Sequence, residues 1–379
     1  MRWKAAGAML LVAAIVVGAA LVLSRYREER AQRSREQNLA LLEEAYQASE
    51  ADRMAALAEA LLAEGDRCPN PERVLYLKAR AAHQLNRPDE VAVWQMLLDR
   101  YPESPYAAEA LLILGRSAVE QGEADKARTY LKALLEKVPS GPQADEALLA
   151  LARLEEESGN QEAAREQYER IVAGNPDSTV RKKTLERLSG MNRSALFSPG
   201  ENEFNQLYTV VLGDKLITIA GKFDTTVDLL EGLNPGVDVL HEGQILTVPR
   251  PGGLRIVVDK AELLLSVYSN REGTQGRFLI CYSIGLPEHE DRKLSGEYVV
   301  GKVKNVYSPR EDGTYGTLGS RYIELELGKS GESTRVAFHG TNDPSDVGRV
   351  GGVNSIRLRN SDVEELYPLA RSGTPVTVR

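Results

Sequence analysis

Two cysteines, Cys68 and Cys281, and four histidines, His83, His241, His289 and His339, are all the sequence offers in 379 residues. Two thiols cannot build a disulfide scaffold. No pair among these six residues has metal-ligand spacing, so no metal site is expected, and no cofactor. A Cys68–Cys281 bond would have to join distant regions. Basic charge is also short: 47 Lys and Arg stand against 55 Asp and Glu, a net charge of −8. With no dense basic block beyond the first 40 residues, nucleic acid is excluded as a partner. Hydrophobic residues make up 42% and charged residues 27%, an ordinary globular balance that rules out general disorder. The length suggests about two to four domains.

Charge is missing altogether from Ala5 to Ser24. Twenty such residues make about 30 Å of helix, the thickness of a hydrocarbon core. A cleaved signal peptide has a shorter apolar stretch and a small-residue cleavage site. The expectation is therefore an N-terminal transmembrane helix over 5–24, with residues 1–35 forming anchor and basic flank. Arg25, Arg27, Arg30, Arg33 and Arg35 outnumber Arg2 and Lys4, which on the positive-inside rule places the body in the cytoplasm.

Residues 36–191 are rich in Ala, Leu, Glu, Gln and Arg, without strand-like alternation, and they repeat. Pro102, Pro139 and Pro176 recur at intervals of 37, as do Gly122 and Gly159, Ala110 and Ala147, and Ala127 and Ala164. An earlier copy is one residue shorter between Asn86 and Pro102. Each unit reads as two helices, with the glycine at the turn and the proline after the second helix. The pattern resembles tetratricopeptide repeats, an all-α solenoid whose units bury their faces by stacking. Trp94 and Tyr130 read as repeat core, and His83 as a helix residue. Such repeats imply either a protein partner or a passive spacer.

After a Ser, Pro, Gly and Asn-rich linker at 192–204, residues 205–250 read as strand, helix, helix, strand. Tyr208, Val210, Gly213, Asp214, Leu216, Ile219, Ala220, Phe223, Leu229, Asn234, Leu240, Gly243, Gln244, Leu246, Val248 and Pro249 resemble a LysM domain. The resemblance implies a small βααβ module that binds N-acetylglucosamine-containing glycan. Its groove would lie between Gly213, Asp214, Lys215 and Leu216 on one loop and Asn234, Pro235, Gly236 and Val237 on the other. Lys215 stands where the family usually has Ser or Thr. His241 reads as a loop residue.

Residues 254–379 alternate as strands, with one short helix over 362–369, and an antiparallel β domain is expected. His339-Gly340-Thr341, Ile356-Arg357-Leu358, Asn360, Asp362-Val363, Leu366-Tyr367 and Gly373-Thr374-Pro375-Val376 resemble the end of an L,D-transpeptidase catalytic domain. Those enzymes cross-link peptidoglycan stem peptides through a cysteine thioester. Aligned on Ile356-Arg357, the family's Ser-His-Gly-Cys becomes Gly352-Val353-Asn354-Ser355. Ser355 then occupies the nucleophile position and Val353 that of the histidine expected to activate it. The resemblance leaves His339 lining the site and Arg357 bracing it. A serine hydroxyl needs a general base, and valine supplies none.

The resulting fold class is multidomain: a transmembrane helix, an all-α repeat solenoid, a βααβ LysM module and a mainly-β transpeptidase-like domain. The expected partners are peptidoglycan glycan and stem peptides, a protein on the repeats, and the membrane through 5–24. Peptidoglycan lies outside the cytoplasmic membrane, so that common target outweighs the arginine count. The expected location is the cytoplasmic membrane, single pass, with the bulk of the chain outside. The function favoured by sequence is peptidoglycan binding with a degenerate, inactive transferase domain acting in wall organisation. The alternatives are an active transpeptidase and a docking scaffold.

Overall fold

The structure, a computed structural model, describes residues 2–174, 179–250, 253–269, 276–288, 294–328, 332–351 and 355–379, without the side chains of 2–17, 302, 303, 333 and 335. The chain divides into two compact units, 1–154 and 155–379.

The first unit is helical throughout: α1 (Arg2–Gln47), α2 (Ala51–Leu62), α3 (Pro71–Gln84), α4 (Glu90–Arg100), α5 (Ala107–Glu120), α6 (Ala124–Lys137) and α7 (Pro142–Glu157), which runs across the boundary. The turn residues obey the repeat. Gly122 and Gly159 take left-handed φ of 73° and 79°, and Asn86, their counterpart in the shorter copy, takes 50°. That region suits Gly and tolerates Asn. Pro102 and Pro139 follow α4 and α6 as terminators, while Pro176 lies outside the described residues. Ala110, Ala127 and Ala147 have no exposed surface, as close helix contact requires. Trp94 is fully buried with Tyr76 edge-on at 6.0 Å. Tyr130 is half-buried and donates to Gln95 Oε1 at 2.7 Å.

The expected membrane anchor is corrected. Among the described residues, no helix is long and apolar enough to cross a membrane. This removes the transmembrane element from the fold class and with it the single-pass location, and membrane association through 5–24 is not shown. Arg35 of the basic flank pairs with Glu28 at 3.0 Å and Glu64 at 3.4 Å.

The second unit opens with α8 (Gln161–Ala173) and α9 (Arg181–Leu196). The LysM region follows as β1 (Asn205–Thr209), α10 (Leu216–Lys222), α11 (Val227–Leu233) and β2 (Ile245–Pro249), with β1 antiparallel to β2. The remainder is β3 (Leu254–Asp259), β4 (Leu264–Ser269), β5 (Phe278–Ser283), β6 (Gly296–Val306), β7 (Arg321–Leu327), β8 (Ser333–His339), β9 (Ile356–Arg357), α12 (Asn360–Leu369) and β10 (Pro375–Val378). These strands form one eight-stranded sheet in the order β5-β4-β3-β10-β6-β7-β8-β9. The sheet is mixed rather than antiparallel, because β10 runs parallel to β3 and β9 parallel to β8. Just past β5, Gly285 exchanges backbone hydrogen bonds with Arg357 at 2.8 and 3.0 Å. The two outer strands are thus brought together, and the sheet curls toward closure.

Two neighbours complete this unit. Helix α9 lies against the outer strand β5. Ser189 Oγ accepts from Cys281 N at 3.1 Å, and Asn192 Nδ2 donates to Leu279 O at 2.9 Å and Phe278 O at 3.3 Å. Polar side chains of the helix thus serve strand backbone that a free edge leaves unpaired. On the other side, Leu229 and Leu233 of α11 share one apolar cluster with Leu366 and Leu369 of α12 and with Ile256 and Val258 of β3. Thr226 Oγ1 donates to Pro368 O, and Asp224 pairs with Arg371.

Candidate functional site

Parallel pairing of β8 with β9 sets His339 opposite Arg357 and Phe338 opposite Ile356. Ser355, one residue before β9, therefore arrives beside the end of β8. His339 Nε2 lies 2.5 Å from Ser355 Oγ, and His339 Nδ1 lies 2.5 Å from Gly340 O. A carbonyl only accepts, so Nδ1 carries the ring proton and Nε2 of the neutral imidazole presents its lone pair to the hydroxyl. A hydroxyl and an imidazole so placed have the geometry of a nucleophile–base pair, with the ring oriented by a backbone carbonyl. The imidazole at Ser355 belongs to His339; position 353, where the resemblance puts the family's histidine, lies outside the described residues.

Each wall of the pair has an identifiable cause. The Tyr322 ring, opposite His339 in the β7–β8 register, stacks on the imidazole at 6.2 Å. Asn360, at the start of α12, accepts from Ser320 N and donates to Thr341 O, both at 3.0 Å. It holds the turn whose Gly340 carbonyl orients the base. Side chains are excluded there: a Cβ on Gly340 would stand 3.0 Å from Gly319 Cα and closer still to Asn360 Oδ1. Arg357 is buried and donates through Nη2 to Leu286 O at 2.9 Å and to Gly351 O. It thereby ties the segment after β5 to the segment that precedes Ser355.

Burial holds the His339 pKa below the ordinary histidine value; the hydrogen bond to Gly340 O acts the other way, and the nearby Arg357 charge lowers it further. The ring is therefore kept as a base at neutral pH. His339 has no exposed surface and Ser355 keeps 7% of its own. The one thiol of this domain is elsewhere. Cys281 is buried under α9, and burial pushes its pKa up to about 12. Among the described residues no group of His, Cys, Asp or Glu could hold a metal ion.

In the LysM region the two groove loops serve partly as framework. Asp214 Oδ2 accepts from Tyr208 Oη at 2.6 Å and Val211 N at 3.0 Å, which hold its pKa below the ordinary carboxylate range. Asn234 donates to Leu230 O and Thr247 O and accepts from Thr247 N, at 2.7–2.8 Å. Both side chains are committed to the module's own turns. Beside the exposed Lys215, Pro235 and Gly236 the same segments present three apolar side chains: Leu212, 84% exposed, beside Gly213 and Asp214; Ile217, in the first turn of α10; and Val239, beyond Val237. These three went unnoticed because an exposed apolar residue outside the family motif carries no sequence signal.

Comparison with known proteins bears on each region. A tetratricopeptide repeat model matches residues 91–142 and 112–179, a LysM domain model 208–249, and an L,D-transpeptidase catalytic domain model 253–378. The chain thus carries tetratricopeptide repeats, a LysM domain and an L,D-transpeptidase-type domain. YkuD of Bacillus licheniformis, named as an L,D-transpeptidase, is 26% identical over 174 residues, 45% of this chain and 98% of its own length. Its namesake in Bacillus subtilis is 26% identical over 180 residues, 97% of its length. Among solved structures, MamA of Desulfovibrio magneticus is 15% identical, covers 42% of this chain and 85% of its own, and has a TM-score of 0.36. An L,D-transpeptidase from Mycobacterium smegmatis is 15% identical, covers 36% and 63%, and has a TM-score of 0.25. The LysM and transpeptidase-type domains together point to work on the cell wall.

Proposed function

We propose that this chain binds peptidoglycan through its LysM domain and seats a stem peptide at the Ser355–His339 pair of its transpeptidase-type domain. The pair acts there as nucleophile and general base in acyl chemistry. The reading is carried by one observation, the 2.5 Å contact between His339 Nε2 and Ser355 Oγ with Nδ1 fixed on Gly340 O. Loss of the thiol lowers intrinsic nucleophilicity, but the base that a serine requires is in place. Arg357 and Asn360 position the pair, and the repeats are left as a surface for a protein partner.

The test is sedimentation of the full chain with insoluble peptidoglycan, compared with Leu212→Asp and Ile217→Asp. Both sites are exposed, so these changes leave the fold intact and should weaken pelleting. A single module binds weakly, so moderate salt and high sacculus concentration suit the assay. A chain that stays in the supernatant under those conditions contradicts the reading.

A further inference from the structure

We infer that the second unit holds a separate binding site, for a small phosphate monoester, in the cavity where α8 and α9 meet β3, β4 and β5. The cavity encloses about 430 Å³, the size of a small-molecule pocket. None of its lining residues belongs to the Ser355–His339 pair. Four guanidinium groups line it, Arg181, Arg255, Arg277 and Arg379, against one carboxylate, Glu169. They come from four separate places in the chain, so no basic run marks them in the sequence. Arg181 carries the argument. Only 7% of it is exposed, and its hydrogen-bond partners are neutral: Nη1 donates to Val172 O at 2.5 Å and Nη2 to Tyr268 Oη at 3.3 Å. Among the described residues no carboxylate lies within ion-pair distance of it. A buried cation without a counter-charge is costly. Arg181 also opens α9, whose first turn holds Arg181, Lys182 and Lys183 and no acidic residue. Cations there oppose the helix dipole, which favours anions at that end. An anion in the cavity offsets both costs.

The remaining guanidinium groups are held in place around it. Arg277 pairs with Glu169 at 2.9 Å and Glu203 at 2.6 Å, which offsets the one acidic charge of the lining. Arg379 lies 3.4 Å from Asp259, and Arg255 lies over the Tyr268 ring, 4.4 Å from its centroid. Chemistry then selects phosphate. A monoester carries a charge of about −1.5 to −2 at neutral pH and three acceptor oxygens, where a carboxylate brings one charge and two oxygens. Guanidinium forks match that geometry. The rest of the lining is apolar. Tyr268 stands edge-on to Phe278 at 5.6 Å, and Val172 and Val257 also face the cavity. Such walls suit an ester with a ring or hydrocarbon body over bare inorganic phosphate.

The experiment titrates the full chain with phenyl phosphate, inorganic phosphate and benzoate at one fixed ionic strength, read by calorimetry and thermal melting. The expected result is saturable binding of one phenyl phosphate per chain, with a Tm that rises with its concentration. Inorganic phosphate and benzoate should bind more weakly by about tenfold or more, as expected when one charge-assisted hydrogen bond or the apolar contact is lost. Arg255→Gln should weaken phenyl phosphate binding by about 10–100-fold, the usual worth of a charge-assisted hydrogen bond. Arg181→Gln should do the same. Its site is buried, so circular dichroism checks that it folds, and the half-buried Arg255 decides the matter where it does not. Lys132→Gln, an equal loss of charge at an exposed position of α6, should leave binding unchanged. No binding of phenyl phosphate, or binding unmoved by Arg255→Gln, overturns the site. Benzoate binding as tightly overturns the choice of phosphate, and inorganic phosphate binding as tightly overturns that of an organic ester.

Discussion

His339 can serve Ser355 only while its ring is neutral, and burial keeps it so below the ordinary histidine pKa of 6.5. The acid limb of the rate profile should therefore fall below pH 6.5, and His339→Gln should flatten it. The same shift has a sign in stability. Between 6.5 and the folded value, the unfolded chain binds more protons than the folded one. Stability is therefore retained above pH 6.5 and declines as pH falls through that window. Urea titrations of the parent and His339→Gln at several pH values measure the difference. Asn360 acts through Gly340 rather than on substrate. Asn360→Ala removes two hydrogen bonds at about 0.5–1.5 kcal/mol each. It should also lower kcat with KM little changed, because it frees the carbonyl that orients the base. Cys281, with its pKa pushed up to about 12, should resist thiol reagents until the protein unfolds. At this scale the motif residues were legible and their partnership was not. His339 and Ser355 are sixteen positions apart, and only the parallel β8–β9 register brings them together. The family's motif, aligned on Ile356-Arg357, instead pointed to position 353.

Helices and strands carry the next level. The repeat period, the turn glycines and the LysM order of strand, helix, helix, strand could all be read from sequence, because each depends on local spacing. Helix α9 shows where such reading stops. Its helical pattern reads as ending at Met191, with a linker from Asn192, yet the helix runs on to Leu196 and presents Ser189 and Asn192 from its last turns. Those polar residues face the backbone of β5, a partner about ninety residues away in sequence. Pairing direction was equally hidden, since β10 returns beside β3 from the far end of the domain. Asn192→Ala should therefore destabilise the second unit by about 1–3 kcal/mol, the cost of leaving buried carbonyls unpaired. Thermal melting of that variant checks it. A change at exposed Glu166, on α8, should leave the melting curve unmoved.

The second unit joins the LysM domain to the transpeptidase-type domain through a shared apolar cluster and the contacts of Thr226 and Asp224 with the α12 region. A fragment 155–379 should accordingly melt in one transition, whereas 205–379, which lacks α9, should melt lower. The whole account turns on Ser355 being an activated nucleophile. Labelling the full chain with a fluorophosphonate, followed by intact mass and peptide mapping, tests that most directly. One adduct on Ser355, lost in Ser355→Ala and slowed in His339→Gln, is the expected result. An unlabelled Ser355 in a chain that still pellets with peptidoglycan, or labelling at the same rate without the imidazole, would contradict it.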